Sequence, residues 1–164
     1  MNLTVQAPDG AAFAPFGSFI EPPEVGGQAM FGSWLTPVPE MSPHYYLNRV
    51  APSTFPFGLD RVECHPDAAQ LFLPVGVSRY LVTVMPSGPT GAPDPEGACA
   101  FVVPGNVGVA YRPGTWHAGI AVLDEEASFA VLMWRRGEGD DVFANIPRLV
   151  LQEDQSVGRS PVHG

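Results

Sequence analysis

The sequence contains no lysine, because all 8 of its basic residues are arginines. A chain without lysine cannot form a lysine Schiff base with a carbonyl substrate, so chemistry of that kind is excluded. An anionic substrate must then be bound by arginine, whose planar guanidinium pairs with a carboxylate through two hydrogen bonds.

Charged residues of both signs are sparse, at 15% of the chain, and 17 acidic residues face 8 basic ones. The net charge of -9 repels nucleic acids and anionic membrane surfaces. No apolar run approaches the roughly twenty residues of a spanning helix, and the first residues lack the basic-then-apolar pattern of a signal peptide. We therefore expect a soluble cytoplasmic protein that binds neither nucleic acid nor membrane.

Cysteine is scarce as well, with only Cys64 and Cys99 in the chain. Two cysteines are too few for a disulfide framework or a zinc ligand set, so both are expected to be free thiols. A chain of 164 residues is long enough to bury a core without such cross-links. We expect a single domain over residues 1–151 and a flexible tail over 152–164.

Proline and glycine are abundant, with 19 and 18 residues, and they interrupt the chain every few positions. The windows between them are too short for long helices but suit strands of about five to ten residues. Windows rich in Val, Phe, Tyr and Leu are numerous enough for a two-sheet jelly roll. The predicted strands are 44–50, 60–65, 70–73, 79–85, 99–103, 107–111, 119–123 and 128–135.

Helical structure is expected only at the periphery. Asp9 is placed to cap a single helical turn within residues 8–16, ended by Gly17. A second short helix is expected after the acidic segment 138–141, where Asp140 and Asp141 would be solvated or cap the helix. The predicted fold is therefore all-β with one or two short peripheral helices.

Two polar residues near the end of the second predicted strand are expected to share a face. Side chains two positions apart point the same way in a strand, so Glu63 and His65 face one side while Val62 and Cys64 face the other. In the interior, burial would raise the pKa of the carboxyl and lower that of the imidazole, while their mutual attraction would oppose both shifts. The pair is a candidate acid/base group.

A second polar cluster lies in the turn from Tyr111 to His117, where a Pro-Gly pair separates two apolar strands. Such a turn can hold an imidazole at the mouth of a strand. Gln70, a few residues beyond the first cluster, would face the same cavity. The candidate pocket residues are Glu63, His65, Gln70 and His117.

The two clusters resemble the motifs of the cupin superfamily and, more closely, those of the ureidoglycolate lyase family within it. The family's Glu-x-His-Pro, followed by Gln and then Phe-x-Pro, is matched by residues 63–74, which read ECHPDAAQLFLP. Its Tyr-x-x-x-x-Trp-His is matched by residues 111–117, its Asn-Arg pair by Asn48 and Arg49, and its Phe-x-x-Phe-Gly by residues 13–17. The resemblance covers residues 13–147, nearly the whole domain, and implies a cupin-type jelly roll.

Two residues depart from the family pattern. Cys64 stands where family members often have Arg or Lys, and Ala118 stands where they often have a second His after the Trp-His pair. These departures leave two alternatives open. One is a related cupin enzyme acting on a different small hydroxy or keto carboxylate, and the other is a non-catalytic cupin that binds a small molecule.

The resemblance implies cleavage of (S)-ureidoglycolate to glyoxylate and urea, in purine (allantoin) catabolism, by a homodimer. In this reaction a base removes the hydroxyl proton, and the carbon–nitrogen bond breaks as an acid protonates the urea nitrogen. We expect His117 or Glu63 as the base, and His65 as the acid partner or a metal ligand. The expected substrate-binding residues, one arginine among them serving as the carboxylate clamp, are Gln70, Arg49, Arg79, Arg112, Tyr111 and Trp116.

The same pocket also suits one divalent metal. Two imidazoles, a carboxylate and an amide oxygen are a reasonable ligand set for Ni, Mn, Zn or Fe, with Gln70 the weakest ligand. Two structural roles compete with these functional ones: a hydrogen-bonded core position for His65, and an ion pair of Glu63 with Arg61. The candidate metal ligands are Glu63, His65, Gln70 and His117.

Overall fold

The computed structural model of the chain describes residues 1–30, 36–137 and 139–154. Within these residues two β-sheets pack face to face, and helical structure is limited to one short α-helix and one 3-10 turn. The fold is a cupin-type jelly roll. The all-β prediction is confirmed, because the short windows between prolines and glycines do form strands.

The structure has more strands than the eight predicted windows. The described strands are β1 (Asn2–Thr4), β2 (Gly17–Ile20), β3 (Ser42–Val50), β4 (Pro52–Ser53), β5 (Phe57–Cys64), β6 (Gln70–Val75), β7 (Arg79–Met85), β8 (Cys99–Pro104), β9 (Gly108–Tyr111), β10 (Trp116–His117), β11 (Ala121–Leu123), β12 (Ala127–Arg135) and β13 (Val142–Gln152). The helix α1 spans Gly10–Phe13, and the 3-10 turn spans Pro95–Gly97. Among the described segments, no helix has both the length and the apolar character needed to span a membrane.

The larger sheet has the strand order β1-β13-β5-β10-β7-β11-β4, with β8 also paired to β7, and the smaller sheet has the order β2-β9-β6-β12-β3. The residues after β1 close the larger sheet. The amide of Val5 donates to Gln152 on β13, and Gln6 makes two backbone hydrogen bonds of 2.9 Å with residues 100 and 102 on β8. Closure satisfies the backbone of two edge strands and curls the sheet around a core of its own.

Two apolar cores follow from this curl. One lies inside the larger sheet and includes Val62 and Cys64 of β5. The other fills the space between the sheets, where Val84 of the larger sheet and Phe129 of the smaller sheet are both fully buried. Successive residues of β5 therefore point alternately toward the first core and away from it.

The predicted N-terminal helical turn is confirmed. Asp9 is the N-cap of α1, and its carboxylate accepts hydrogen bonds from two amides of the turn at 2.9 and 3.2 Å. Phe13 at the end of α1 is fully buried, and its ring stacks on that of Phe19 at 4.4 Å. The cap thus fixes the aromatic side chain that seals one side of the intersheet core.

The helix predicted after the acidic segment is wrong, because that stretch forms the strand β13. Pro147 interrupts the pattern there, which hides the strand in the sequence. The pairing of β13 with β5 shifts register between Asn145 and Leu149, and this bulge takes up the proline, which has no amide hydrogen to donate. Residues 138 and 155–164 lie outside the described residues, so the domain limit at 151 and the flexible tail over 152–164 stay predictions.

Gly17 is needed where β2 approaches β9. A Cβ at this position would lie 2.0 Å from the carbonyl oxygen of Ala110. We expect Gly17→Ala to lower the free energy of unfolding by about 2–3 kcal/mol, because the strands must separate to admit the methyl group. Gly10→Ala is the matched control, since nothing lies within 4 Å of its Cβ. Urea unfolding of both variants measures the difference, and equal midpoints would contradict the close approach.

Candidate active site

Two facing sheets and one turn bring the predicted pocket residues together. His117 on β10 is paired in register with Glu63 on β5, and Gln70 begins β6 in the opposite sheet. The turn before β10 is fixed to the first motif, because the amide of Gly114 donates to the carbonyl oxygen of His65 at 2.8 Å. His65, Gln70 and His117 are buried, while Glu63 is partly exposed. The structure thus unites all four residues in one cluster.

The ring of His117 is oriented at both nitrogens. Nδ1 lies 2.9 Å from the carbonyl oxygen of Thr115, which can only accept, so Nδ1 carries a hydrogen. Nε2 lies 3.1 Å from Oε1 of Gln70 and 3.2 Å from Oε1 of Glu63. Two acceptor oxygens around Nε2 favour a hydrogen there as well. This arrangement suits a group that delivers a proton from Nε2.

Tyr111 packs against His117 rather than opening into the pocket. Its ring stacks on the imidazole with centroids 4.2 Å apart and an angle of 18° between the planes. Its hydroxyl is buried and has no hydrogen-bond partner among the described residues. Burial raises the pKa of the Tyr111 phenol well above its ordinary value, so the group stays neutral. The structure therefore gives Tyr111 a supporting position behind the imidazole.

Glu63 is an anion in this environment. Burial alone would raise the pKa of its carboxyl, but the hydrogen bond and charge of His117, with the charges of His65 and Arg135, outweigh burial and keep that pKa below its ordinary value. The sequence predicted that His65 would stabilise the anion of Glu63. In the structure His117 adds to this effect and is the larger contributor. Arg61, the structural partner considered for Glu63, lies with its guanidinium 4.1 Å from the ring centroid of Phe143.

His65 contacts Asp141, which the sequence analysis expected to be solvated or to cap a helix. Its Nδ1 lies 2.8 Å from Oδ1 of Asp141, and the other carboxylate oxygen of Asp141 lies 2.7 Å from Nη2 of Arg135. Burial, together with repulsion from His117, lowers the pKa of His65 although Glu63 and Asp141 oppose the shift. The imidazole is therefore biased toward its neutral form and can accept a proton.

Tyr46 on the edge strand β3 reaches the same cluster. Burial raises the pKa of its phenol, while Arg135 and an interaction with Gln70 oppose that rise. The amide nitrogen of Gln70 also lies 3.6 Å from Sδ of Met133. Gln70 is thus held by several neighbours, which orients its amide oxygen toward His117.

Sequence reasoning missed Tyr46, Arg135 and Asp141. No short motif marks them, because they are far from the two motifs in the chain. Tyr46 lies on β3, Arg135 ends β12, and Asp141 lies in the loop that joins β12 to β13. The available signal was pairing: Met133, two residues before Arg135, pairs with Gln70. A correct alignment of β12 with β6 would have brought Arg135 to the pocket.

Two of the three arginines predicted to clamp the substrate, Arg49 and Arg79, lie elsewhere. Arg49 pairs with Ser128, five positions along β12 from the residue opposite Gln70, which is about 17 Å at the rise of a strand. It makes an ion pair with Glu126. Arg79 binds Asp124 at 2.8 Å and Glu153 at 2.7 Å. Arg112 is exposed beside the Pro-Gly turn, in a cleft that includes Pro113 and Thr115.

Three further residues of the second and first motifs belong to the core of the larger sheet. Trp116 is 6% exposed and donates from its indole nitrogen to the carbonyl oxygen of Gly91 at 3.0 Å, so it does not share the face of His117. Cys64 and Ala118, the two departures from the family pattern, lie in the same core. Neither departure therefore changes the lining of the pocket.

The cluster also fits a divalent metal by donor type and spacing. Glu63, His65 and His117 each offer one ligand atom, and these atoms lie within 4.8 Å of one another. Both ring nitrogens of His65 are buried without a hydrogen-bond partner in the described part of the chain, which is a further sign of a group still able to bind. Two imidazoles and a carboxylate are ligands that Zn and Fe commonly take in enzymes.

The fold and the pocket define the class of protein: a cupin with a cluster of two imidazoles, a carboxylate and an amide between its two sheets. The chain belongs to the ureidoglycolate lyase family, since the family model described as ureidoglycolate lyase matches residues 1–157. The family resemblance carried by the two motifs is therefore confirmed over almost the whole chain.

Similar proteins cover the chain at nearly full length. One named ureidoglycolate lyase from Burkholderia mallei (strain NCTC 10229) is 32% identical, with 95% of this chain and 96% of that protein aligned. Another of that name, from Pseudomonas savastanoi pv. phaseolicola, is 31% identical over 90% of this chain and 93% of its own length. A third, from Schizosaccharomyces pombe, is 29% identical over 85% and 88%.

The two buried tyrosines of the intersheet core offer a test of this geometry. Tyr80 donates its hydroxyl hydrogen to the carbonyl oxygen of Val107 at 2.8 Å, whereas the Tyr111 hydroxyl has no such partner in the described residues. We expect Tyr80→Phe to lower stability by about 1 kcal/mol, and Tyr111→Phe to leave it unchanged or raise it. Thermal unfolding measures both. A larger loss in Tyr111→Phe than in Tyr80→Phe would mean that its hydroxyl has a polar partner.

Proposed function

We propose that this protein is a lyase that cleaves (S)-ureidoglycolate to glyoxylate and urea in purine (allantoin) nitrogen catabolism. The observation that carries the proposal is the joint position of Glu63, His65 and His117 within one cluster, in a chain of the ureidoglycolate lyase family. The relatives named ureidoglycolate lyase, which align with nearly the whole chain, support the substrate.

The reaction is the collapse of a carbinolamide and needs two proton transfers. We assign the first to His65, in exchange for the acid role expected from the sequence, because its lowered pKa favours a neutral ring. That ring accepts the proton of the substrate hydroxyl as the carbonyl of glyoxylate forms. The electron pair of the breaking carbon–nitrogen bond stays on nitrogen, and His117 protonates that nitrogen from Nε2 to release urea. Each such group contributes about a hundred- to ten-thousand-fold in rate. The two rings lie 5.3 Å apart, with Glu63 beside His117, so the proton can be returned after each turnover.

We assign the carboxylate clamp to Arg135 in place of the arginines expected from the sequence. Its guanidinium contacts Asp141 at the edge of the cluster, and its charge acts on Glu63 and Tyr46. A guanidinium binds a carboxylate through two parallel hydrogen bonds, which would fix the substrate end that does not react. Tyr46, which is 41% exposed and interacts with Gln70, is suited to contact the urea group.

A divalent metal, if bound, would be held by Glu63, His65 and His117, with Gln70 adjacent. It would act as a Lewis acid that polarises an oxygen of the substrate. A ring nitrogen that bound the metal could not carry a proton, so the proton roles of His65 and His117 apply to the metal-free site, while the carboxylate clamp would stay as assigned.

Replacement of Glu63 tests the site directly. We expect Glu63→Gln to lower kcat/KM for ureidoglycolate by about a hundredfold or more, because the anion beside His117 is lost while the shape is kept. Glu126→Gln is the matched control, since that carboxylate pairs with Arg49 far from the cluster and its loss should leave kcat/KM unchanged.

The assay follows glyoxylate and urea together, with and without added divalent metal, and elemental analysis of the purified protein identifies any metal that it retains. Release of both products no faster than in buffer, under every metal condition, would overturn the proposed function. Equal losses in the two Glu variants would overturn the assignment of the site.

We further propose a cytoplasmic homodimer. The free thiols of Cys64 and Cys99 support a reducing compartment. The edge strand β3 supports association, because its residues Tyr45 and Leu47 are 68% and 70% exposed and an open apolar edge is usually covered in a stable protein.

The dimer has its own test in analytical ultracentrifugation. We expect Leu47→Glu to shift the protein toward monomer, because it places a charge on the exposed strand edge. Val25→Glu is the control, since Val25 is fully exposed outside the strands. A wild-type protein that sediments as a monomer at micromolar concentration would contradict the homodimer.

A further inference from the structure

Asp141 stands out among the buried polar groups. Four buried side-chain polar atoms lack a hydrogen-bond partner in the described residues: both ring nitrogens of His65, Oδ1 of Asp141 and the hydroxyl of Tyr111. Two of the four meet at one point, where Nδ1 of His65 and Oδ1 of Asp141 lie 2.8 Å apart. The two atoms are close enough to interact, although the ring is not aligned for a full hydrogen bond.

The carboxylate of Asp141 is divided between two partners. Oδ1 faces His65, and Oδ2 lies 2.7 Å from Nη2 of Arg135. One acidic side chain therefore spans the ring that we assign to proton removal and the guanidinium that we assign to the substrate carboxylate. Its side chain is 19% exposed, so solvent does little to weaken either contact.

The neighbouring Asp140 has a different task. Its Oδ2 accepts hydrogen bonds from the amides of Arg136 and Gly137, and its side chain closes the turn that follows β12. The sequence predicted that both aspartates would be solvated or cap a helix. In the structure only Asp140 bonds to the backbone of this turn. Asp141 is not used by the turn and is directed to the pocket.

We propose that Asp141 is a positioning residue for the reaction: it holds the hydrogen of His65 on Nδ1, so that the lone pair at Nε2 faces the pocket, and it orients Arg135 beside that ring. The proposal rests on the proposed function for the identity of the substrate. The contact pattern is the one by which a carboxylate fixes the tautomer of a histidine whose other nitrogen is used for catalysis or for a metal.

The tautomer of His65 is the direct readout. We expect two-bond ¹⁵N–¹H spectra at pH 8, with a chelator present, to find the hydrogen of neutral His65 on Nδ1 in the wild type. In Asp141→Ala the ring should lose this preference and populate the Nε2–H form. Asp140→Ala, the matched control, should keep the wild-type tautomer because its carboxylate bonds to the amides of the turn and not to His65. The spectra need no substrate.

Kinetics on ureidoglycolate separate the two contacts. We expect Asp141→Ala to lower kcat by about 10- to 100-fold and to raise KM, since both His65 and Arg135 lose their partner. Asp141→Asn keeps one acceptor oxygen, so it should restore the tautomer and most of kcat while KM stays raised. Asp140→Ala should leave both constants unchanged.

A wild-type tautomer and kcat in Asp141→Ala would overturn the positioning role, and so would equal losses in Asp140→Ala. Circular dichroism of each variant establishes that it is folded, and Asp141→Asn carries the test if the alanine variant is not. If the wild type does not cleave ureidoglycolate but its His65 tautomer still depends on Asp141, the proposed function fails while the positioning of His65 stands.

Discussion

The site depends on the way in which His117 is held between the two sheets. Its Nδ1 is fixed by the backbone of Thr115 in its own turn, and its Nε2 faces Glu63 from the same sheet and Gln70 from the opposite one. Tyr111 closes one face of the ring by stacking. Because the ring is 1% exposed, a displacement of either sheet would leave a buried imidazole without partners, which is costly. The packing of the two sheets and the geometry of the site therefore depend on the same contacts of His117.

Strand alternation separates stability from chemistry in β5. Val62 and Cys64 fill the core of the larger sheet, while Glu63 contacts His117 on the other side. A polar residue on the first face would disrupt that core, and an apolar residue at position 63 would remove the charge beside His117. The curl of the larger sheet allows this division, since it encloses Val62 and Cys64 in a core and leaves Glu63 on the other face beside His117.

The sequence predicted the parts of the site that are local in the chain. Glu63 and His65 follow from a period of two, and His117 from the Pro-Gly turn that presents it. It could not place Arg135 or Asp141, because their positions depend on the pairing of β12 with β6 and on the path of the loop before β13. The same limit explains the missed strands: β10 has two residues, and β13 contains a proline at a bulge, so neither has a pattern long enough to recognise.

The two departures from the family pattern acquire a physical meaning once their side chains are located. Cys64 and Ala118 are 6% and 7% exposed in the core of the larger sheet, and burial raises the pKa of the Cys64 thiol, which keeps it neutral and unreactive. A long basic side chain or a second imidazole at these positions would have to find room and polar partners in that core. Substitutions there change how the larger sheet packs, and the groups around His117 are left as they are. On the proposed function, a change of substrate would instead require a change at Tyr46, Gln70 or Arg135, which face the cluster from the smaller sheet.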